Sequence, residues 1–501
     1  MSAADRRILT IPLNRVEGDL ALHLEYDGAE VTNSWSSGIM FRGFENMLKG
    51  RGPLDGLVLT PRVCGICGTA HLMAAARALD MLCGVIIPDN AAMIRNLALM
   101  AEHVQSDIRH GILMFMKDFL NPIYENESFY PEARLRYEPF RGTSVIKAIQ
   151  ETKRILEIVA IVGGQWPNSS FMVPGGIATA PTCNDMVSCG YIHKAFSNWY
   201  EREILGCTIE RWSAITTRDD LETWLAESAA HRRSDLGFFL RCARRAGLDK
   251  IGGGHDNFIS VGVQDLPPWT GQSLPVSLLS PGFIKKGEKT AFNQARISEH
   301  VAFSRFEGYG GGLHPFEGVT RPCVSGTNPD KYSWAKAPRY DDIPAETGPL
   351  AEMLVDENPL FSDLVRNQGP TVFSRQLARL TRPARILPFM KKMIAEINPK
   401  APYYTTVKDI PDGRGYGLIE ASRGALGHWM EIRDGVIHHY QIVTPTSWNG
   451  SPRDANGIRG PWEEAMIGTR LRDPENPVEL GHIVRSFDAC LVCAVHVCVK
   501  R

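Results

Sequence analysis

Apolar and polar residues alternate at both ends of the chain and recur at helical spacing in its middle. Near the N-terminus the alternation runs on both sides of Asp27-Gly28, which predicts a β-hairpin because Asp-Gly suits a tight turn. The same pattern surrounds Asp434-Gly435. Apolar residues from Ile94 to Phe119 are spaced by three and four, which predicts one long helix that ends before Pro122.

Helical spacing continues roughly over 145–162 and 184–205 and returns over about 349–397, whereas the segment between is rich in turns. We therefore expect an α+β fold, built as one large unit over 1–501 with a central bundle of long helices and sheet-bearing flanks. Its expected parts are a sheet region (1–60), a helical core (about 68–210), a mixed loop-rich region (215–345), a helical region (349–397) and a C-terminal sheet with the metal-ligand segment (400–501).

Composition and charge exclude several classes of protein. The 501 residues are 44% hydrophobic and 22% charged, which is typical of globular proteins. A net charge of −1 argues against a nucleic-acid or anionic-membrane binder. No apolar run approaches the roughly 20 residues of a bilayer span, and no signal peptide is apparent. We expect a cytoplasmic chain without a transmembrane segment, associated peripherally with a membrane only through partners.

Cysteine usage points to metal or thiol chemistry. An odd count of 11 cysteines argues against a disulfide scaffold and favours thiol or metal chemistry in a reducing compartment. Cys64 and Cys67, like Cys490 and Cys493, are three residues apart, so both sulfurs of each pair can reach one centre. The alternatives are two unrelated structural pairs or a structural zinc site. Zinc ribbons, however, place their pairs within a few dozen residues, whereas thiolates also suit nickel and iron.

The residues around both pairs resemble one known family. RVCGICGTAH (62–71) resembles the N-terminal RxCGxCxxxH signature of nickel–iron hydrogenase large subunits, and DACLVCAVH (488–496) resembles their C-terminal DPCxxCxxH signature. Four further segments occur in the family's order: NRVEG (14–18), FRGFE (41–45), EASRGALGHW (420–429) and VTPTSWN (443–449). The resemblance spans essentially the whole chain.

The resemblance implies a nickel–iron centre. Cys64 and Cys490 would be terminal ligands of nickel, while Cys67 and Cys493 would bridge nickel and iron. The iron would carry cyanide and carbon monoxide ligands installed by maturation proteins. Pro445 and Thr446 match the groups that face a cyanide ligand, although an ordinary turn hydroxyl is the alternative for the threonine.

Proton handling is implied by four further matches. Arg423 matches the guanidinium over the open metal position, and Asp118 and Asp488 match the carboxylates that orient it. Glu17 matches the first proton relay beside a terminal cysteine. The alternatives are a surface acid at a helix end for Asp118 and an exposed acid at a strand edge for Glu17.

A second metal site is implied near the C-terminus. Glu45, His496 and the backbone carbonyl of Ile442 match the ligands of a magnesium ion. Histidine is an unusual ligand for so hard a cation, so Fe²⁺ is equally consistent.

The implied function is cleavage of H2 into two protons and two electrons. The other cysteines match no cluster motif, so the electrons are expected to pass to a small subunit that carries iron–sulfur clusters, in a higher-order assembly of heterodimers. The alternatives are a hydrogen sensor that signals to a kinase and a structural relative without the metal, which the four cysteines argue against.

Three departures from the family pattern concern the branch of the family to which the chain belongs and the candidate metal site. The segment 163–176 resembles the branch of cytosolic uptake and hydrogen-sensing members. Ala489 and Ser422 stand where the family usually has proline, which leaves the local rigidity at Cys490 and Arg423 open.

Overall fold

The computed structural model describes residues 6–13, 15, 20–262, 279–323 and 330–490. Its helices are α1 (Phe44–Leu48), α2 (Asp55–Leu59), α3 (Gly68–Leu82), α4 (Asp89–Arg109), α5 (Tyr130–Tyr137), α6 (Thr143–Gly163), α7 (Cys183–Trp199), α8 (Ile209–Ser213), α9 (Arg218–Glu227), α10 (Ala229–Arg233), α11 (Asp235–Arg245), α12 (Pro349–Val355), α13 (Pro359–Gln368), α14 (Val372–Glu396), α15 (Pro445–Asn449), α16 (Pro461–Met466) and α17 (Val478–Ser486).

Small antiparallel sheets complete the described structure. The strands are β1 (Arg6–Leu13), β2 (Leu20–Asp27), β3 (Glu30–Gly38), β4 (Met172–Val173), β5 (Gly176–Ile177), β6 (Asn257–Val261), β7 (Pro281–Lys285), β8 (Glu288–Thr290), β9 (Ile297–His300), β10 (Gly312–Leu313), β11 (Ala337–Tyr340), β12 (Gly413–Ala421), β13 (Gly424–Arg433) and β14 (Val436–Val443). They pair as β1-β2-β3, β4-β5, β6-β7-β8, β10-β9-β11 and β12-β13-β14. The predicted α+β class is confirmed.

The long helices form the centre of the molecule. Helices α4, α6, α7 and α14 pack against one another, and α4 is buried over almost its whole length. The helix predicted to end before Pro122 does so, but its geometry changes on the way. After α4 the backbone widens into a π-helical segment, His110–Phe115, and then tightens into a 3₁₀ segment, Met116–Leu120. Such π segments re-aim side chains and are frequent at functional sites.

Both predicted hairpins form. Asp434 and Gly435 link β13 to β14 with φ of 53° and 72°, the left-handed conformations that a tight hairpin turn requires. Near the N-terminus β2 pairs with β3 through a turn of Gly28 and Ala29, one residue later than the sequence predicts, and β1 extends that sheet on the other side of β2. The C-terminal sheet lies against α3 because Gly415 and Gly417 have no side chain to hold the helix away.

The first part of the segment 215–345, which was expected to be rich in loops, is helical in the structure. Three helices, α9, α10 and α11, follow one another between Arg218 and Arg245. The signal for them lies in their caps: Thr217 and Asp220 form a capping box, and Ser228 and Ser234 accept hydrogen bonds from the next two helix starts. Only after α11 does the segment become a set of short strands and turns. Within the described residues no helix is both long and apolar enough to cross a membrane.

Candidate metal centre

Three cysteine sulfurs from opposite ends of the chain meet in the core. The Sγ atoms of Cys64, Cys67 and Cys490 all lie within 4.8 Å of one another, and those of Cys64 and Cys490 are 3.5 Å apart. All three residues are buried. The backbone N–H groups of Ile66 and Cys67 point at the sulfur of Cys64 from 3.4 and 3.5 Å. Among the described residues this is the one cluster of three or more such ligand groups, while Cys493 lies outside them.

Glu102 binds the first turn of the helix that follows Cys67. Cys67 directly precedes α3, and Glu102 of α4 accepts hydrogen bonds from the N–H groups of Thr69 (2.9 Å) and Ala70 (3.1 Å) in the first turn of α3. Burial raises the pKa of Glu102 to about 7, against the lowering effect of these hydrogen bonds. Sequence reasoning missed this residue because no motif marks it.

Arg423 lies beside the three sulfurs. Its Nε donates to Oδ1 of Asp488 at 3.0 Å, and both side chains are buried. Burial alone would lower the pKa of Arg423, but Asp488 and the thiolates of Cys490, Cys67 and Cys64 hold that pKa well above its usual value. Its Nη1 has no hydrogen-bond partner among the described residues. The expected contact between Arg423 and Asp488 is therefore present.

The prediction that Asp118 contacts Arg423 is wrong: the described structure shows no such contact. Asp118 instead accepts two hydrogen bonds from Arg485, at 2.6 and 2.8 Å, and a further one from Arg15. Arg485 belongs to α17, only three residues before Asp488, and its guanidinium meets both oxygens of the carboxylate. The alternative of a surface acid is also wrong, because Asp118 is 3% exposed. Although burial raises the pKa of Asp118, Arg485, His482 and Arg15 lower it further than burial raises it.

Asp488 has two further neighbours that sequence reasoning missed. Oδ2 of Asp488 accepts a hydrogen bond from Nη1 of Arg379 at 3.1 Å. His110, in the π-helical segment, approaches Oδ1 of the same carboxylate to 3.6 Å. Burial lowers the pKa of His110 to about 3, so its imidazole is neutral at pH 7.

Thr446 holds the backbone of one candidate ligand. Its hydroxyl oxygen accepts a hydrogen bond from the N–H of Cys490 at 3.0 Å. Pro445 is the first residue of α15, where a proline costs no backbone hydrogen bond, and both residues are buried. Thr446 is therefore more than a turn hydroxyl.

Two of the three predicted magnesium ligands lie together. Oε1 of Glu45 accepts hydrogen bonds from the N–H of Ile442 (3.0 Å) and from Nε2 of Gln441 (2.6 Å). Nζ of Lys336 lies 3.9 Å from the other oxygen of Glu45 and 3.7 Å from Glu299. The cluster thus has two carboxylates and one ammonium group in a buried space.

Glu17 and His496 lie outside the described residues. Arg15, two residues before Glu17 in the chain, donates to the carbonyl of Met114 at 2.6 Å in addition to its contact with Asp118. Separately, two histidine side chains and one tyrosine side chain form a buried row near Cys64. Nδ1 of His71 lies 3.0 Å from Nε2 of His428, whose Nδ1 lies 2.9 Å from the Tyr440 hydroxyl.

Comparisons with known proteins agree with this geometry. A family model described as nickel-dependent hydrogenase matches residues 42–134 and 238–496. The large subunit of the periplasmic [NiFeSe] hydrogenase of Desulfomicrobium baculatum is 34% identical, with 97% of this chain and 94% of that protein covered. The uptake hydrogenase large subunit of Rhodobacter capsulatus is 27% identical over 99% of this chain and 96% of its own length.

Solved structures show the same fold. The [NiFeSe] hydrogenase of Dm. baculatum superposes with a TM-score of 0.82 at 30% identity, covering 98% of this chain and all of that one. The enzyme of D. vulgaris Hildenborough gives a TM-score of 0.80 at 29% identity. The expected placement in the cytosolic uptake and sensing branch is not supported, because the relative at 34% identity is named as periplasmic. The chain belongs to the nickel-dependent hydrogenase family, as a large subunit.

Proposed function

We propose that this chain catalyses the cleavage of H2 into two protons and two electrons at a nickel–iron centre. The observation that carries the proposal is the group of three buried sulfurs, brought together from both ends of the chain, with the guanidinium of Arg423 beside them. Soft thiolate donors suit nickel and iron, and the buried setting suits a dry reaction. The hydrogenase names of the relatives agree with it.

The donor set fits the expected centre. In the proposal Cys64 and Cys490 would be ligands of nickel, and Cys67 and Cys493 would be ligands of both nickel and iron. The iron would also carry cyanide and carbon monoxide installed by maturation proteins. When bound, the centre supplies the Lewis-acid and redox chemistry that polarises and splits H2. Pro445 and Thr446 face the iron ligands, and Thr446 in addition holds the backbone of Cys490.

The protein's own side chains orient charge and move protons. Asp488 holds Arg423 through Nε, so that the guanidinium is presented to the dry space beside the sulfurs. Asp118 accepts hydrogen bonds from Arg485 and Arg15 rather than from Arg423. Glu17 is proposed as the first proton acceptor, supported by the RVEG context and by the position of Arg15 against Met114.

A hard cation is proposed at Glu45, Ile442 and His496. Ile442 would bind the cation through its backbone carbonyl, and its N–H already donates a hydrogen bond to Glu45. Two buried carboxylates against one lysine leave one net negative charge, which favours the binding of a cation such as Mg²⁺ or Fe²⁺. Removal of this ion by a chelator should lower thermal stability without lowering the nickel content.

A hydrogenase large subunit implies a small-subunit partner. In the described residues the remaining cysteines form no cluster with other ligand groups, so the iron–sulfur clusters that take the electrons are assigned to that partner. We further propose that such heterodimers assemble into larger units. The relatives' names favour an enzyme over a hydrogen sensor.

The test is hydrogen-dependent dye reduction by the purified complex, expressed per bound nickel. We expect nickel and iron in the wild type and sustained turnover, and we expect both to be lost in Cys64→Ser. Cys189→Ser is the matched control, because Cys189 is equally buried but lies in α7 outside the cluster. Metal without turnover would favour the sensor, and full nickel content in Cys64→Ser would overturn the assignment.

A further inference from the structure

A tight turn at Asp488 connects the end of α17 to the sulfur of Cys490. The backbone of Asp488 has a φ of 59°, a left-handed conformation that persists in residues other than glycine where the surrounding structure holds it. Oδ1 of Asp488 accepts the hydrogen bond from Nε of Arg423 at 3.0 Å, and two residues later Sγ of Cys490 lies 3.5 Å from Sγ of Cys64. The conformation of this one turn therefore affects the positions of both Arg423 and Cys490.

Local backbone hydrogen bonds account for only part of the turn. The N–H of Asp488 donates to the carbonyl of Arg485 at 3.1 Å, and the N–H of Cys490 donates to the hydroxyl of Thr446 at 3.0 Å. Neither of these bonds involves the carboxylate of Asp488. The orientation of that carboxylate, on which the contact with Arg423 depends, must be held by side chains from elsewhere in the fold.

Arg379 of α14 binds the turn at two points. Its Nη1 donates to Oδ2 of Asp488 at 3.1 Å, and its Nη2 donates to the backbone carbonyl of Ser486 at 3.2 Å. One planar guanidinium thus connects the backbone before the turn to the side chain at its centre. Because the N–H groups of a guanidinium are fixed relative to one another, the two bonds together define how the carboxylate is oriented.

The position of Arg379 is itself fixed in the helical core. Its side chain is 1% exposed, and its Nη1 also lies 3.7 Å from Oδ1 of Asp107 in α4. Both oxygens of Asp107 accept hydrogen bonds from Arg382 of α14, at 2.8 and 2.7 Å. Helix α14 packs against both α4 and α17. The guanidinium that holds the turn is therefore anchored to two long helices of the core.

His110 does not hold the Asp488 carboxylate in place of Arg379. Its Nε2 lies 3.6 Å from Oδ1 of Asp488, which is too far for a hydrogen bond. Burial lowers the pKa of His110 to about 3, so it brings no positive charge at pH 7. In the described structure the carboxylate has two hydrogen-bonding partners, Arg423 and Arg379.

We propose that Arg379 is a positioning residue, which holds the turn at Asp488 in the conformation that orients Arg423. Its hydrogen bonds in the described structure go to Asp488 and Ser486, so it acts on Arg423 only through Asp488. The role in holding the turn follows from this geometry alone. The effect on turnover rests in addition on the proposed function.

Hydrogen–deuterium exchange of the purified complex tests the turn without hydrogen turnover. Arg379→Lys keeps the positive charge, but its single ammonium group cannot bind Asp488 and Ser486 as the guanidinium does. We expect the amides of Asp488 and Cys490 to exchange faster by about tenfold or more, as for the loss of a hydrogen bond to a charged group. The amides of β13 should keep their wild-type rates.

Arg375→Lys is the matched control for the exchange measurement. Arg375 lies one turn earlier in α14, is equally buried and binds Glu346 at 2.7 and 2.8 Å, so its replacement should leave the exchange of Asp488 and Cys490 unchanged. Unchanged rates at the turn in Arg379→Lys overturn the proposal. Equal acceleration along the whole chain also overturns it, because that is the result of a merely structural ion pair.

A second variant, Arg379→Gln, keeps the exchange test decisive if Arg379→Lys fails to fold. Its amide has two N–H donors on a shorter side chain, which cannot reach both acceptors of the guanidinium. The same selective acceleration at Asp488 and Cys490 is expected, and its absence again overturns the proposal.

The consequence for turnover is tested with a double variant. We expect kcat per bound nickel in Arg379→Lys to fall by about 10- to 100-fold, as for small misplacements of catalytic groups, with the KM for H2 unchanged. Because Arg379 acts through Asp488 on Arg423, Arg379→Lys/Arg423→Lys should be no slower than Arg423→Lys alone. Wild-type kcat per nickel in Arg379→Lys, or a double variant in which the two losses multiply, overturns the positioning of Arg423. A wild-type complex without nickel or turnover would contradict the proposed function instead, and the exchange rates would still decide the role of Arg379 in the turn.

Discussion

Replacing Arg423 by lysine separates an active-site role from a structural one. The guanidinium makes a charged hydrogen bond of 3.0 Å from Nε to Asp488, and the charges of the three nearby thiolates raise its pKa. Lysine keeps the charge but has a single donor group, which cannot bind Asp488 and stay over the sulfurs at once. Asp488 itself would stay in place, because Arg379 still holds its second oxygen at 3.1 Å.

The expected loss follows from that geometry. A hydrogen bond to a charged group contributes about 1.5–3 kcal/mol, which alone corresponds to roughly a 10- to 150-fold change. Loss of a positioned polar group in a dry active site costs about 10² to 10³ in rate. We therefore expect nickel content near wild type and turnover per nickel lower by about two to three orders of magnitude.

The assay is hydrogen-dependent dye reduction, with nickel measured in the same preparation. Arg375→Lys is the matched control: Arg375 is equally buried and binds a carboxylate, Glu346, but in the described structure it makes no hydrogen bond to Arg423 or Asp488. It should lose stability while keeping its turnover per nickel. Wild-type turnover per nickel in Arg423→Lys would remove Arg423 from the mechanism.

Three further predictions concern the residues around the sulfurs. Cys67→Ser should lose its nickel, because a hydroxyl replaces the soft thiolate of a proposed ligand; metal analysis that finds a full complement would contradict the ligand assignment. Thr446→Val removes the acceptor of the Cys490 N–H and should lower the free energy of unfolding by about 1–3 kcal/mol, whereas Thr446→Ser should not; equal urea midpoints would refute this. Because the pKa of Glu102 is raised from 4.5 to about 7, the folded protein holds a proton that the unfolded chain releases, and stability falls as pH rises through this window by up to about 1.4 kcal/mol per unit. Glu102→Gln should remove that part of the slope in urea titrations at several pH values, and unchanged slopes would disprove it.

Much of this molecule follows from local pattern. Alternation around Asp27-Gly28 and Asp434-Gly435 predicts the two hairpins, since successive side chains on a strand point to opposite faces. Asp434-Gly435 forms its turn as predicted, whereas the first turn consists of Gly28 and Ala29. The three-and-four spacing before Pro122 predicts the long helix, since such residues share one face. The two CxxC motifs predict a shared centre, and the three cysteines that the structure describes do meet.

The partners of the buried charges were decided by tertiary packing alone. Sequence placed Asp118 on Arg423, but the structure pairs Asp118 with Arg485. Asp488, which does bind Arg423, has Arg379 as an additional partner that the sequence did not indicate. Glu102 is likewise identified only by the fold, which sets it against the start of α3. Buried carboxylates and guanidiniums pair with whichever opposite charge lies within hydrogen-bonding distance. That distance depends on how helices far apart in sequence pack and on the π-helical turn at His110, neither of which a local pattern contains.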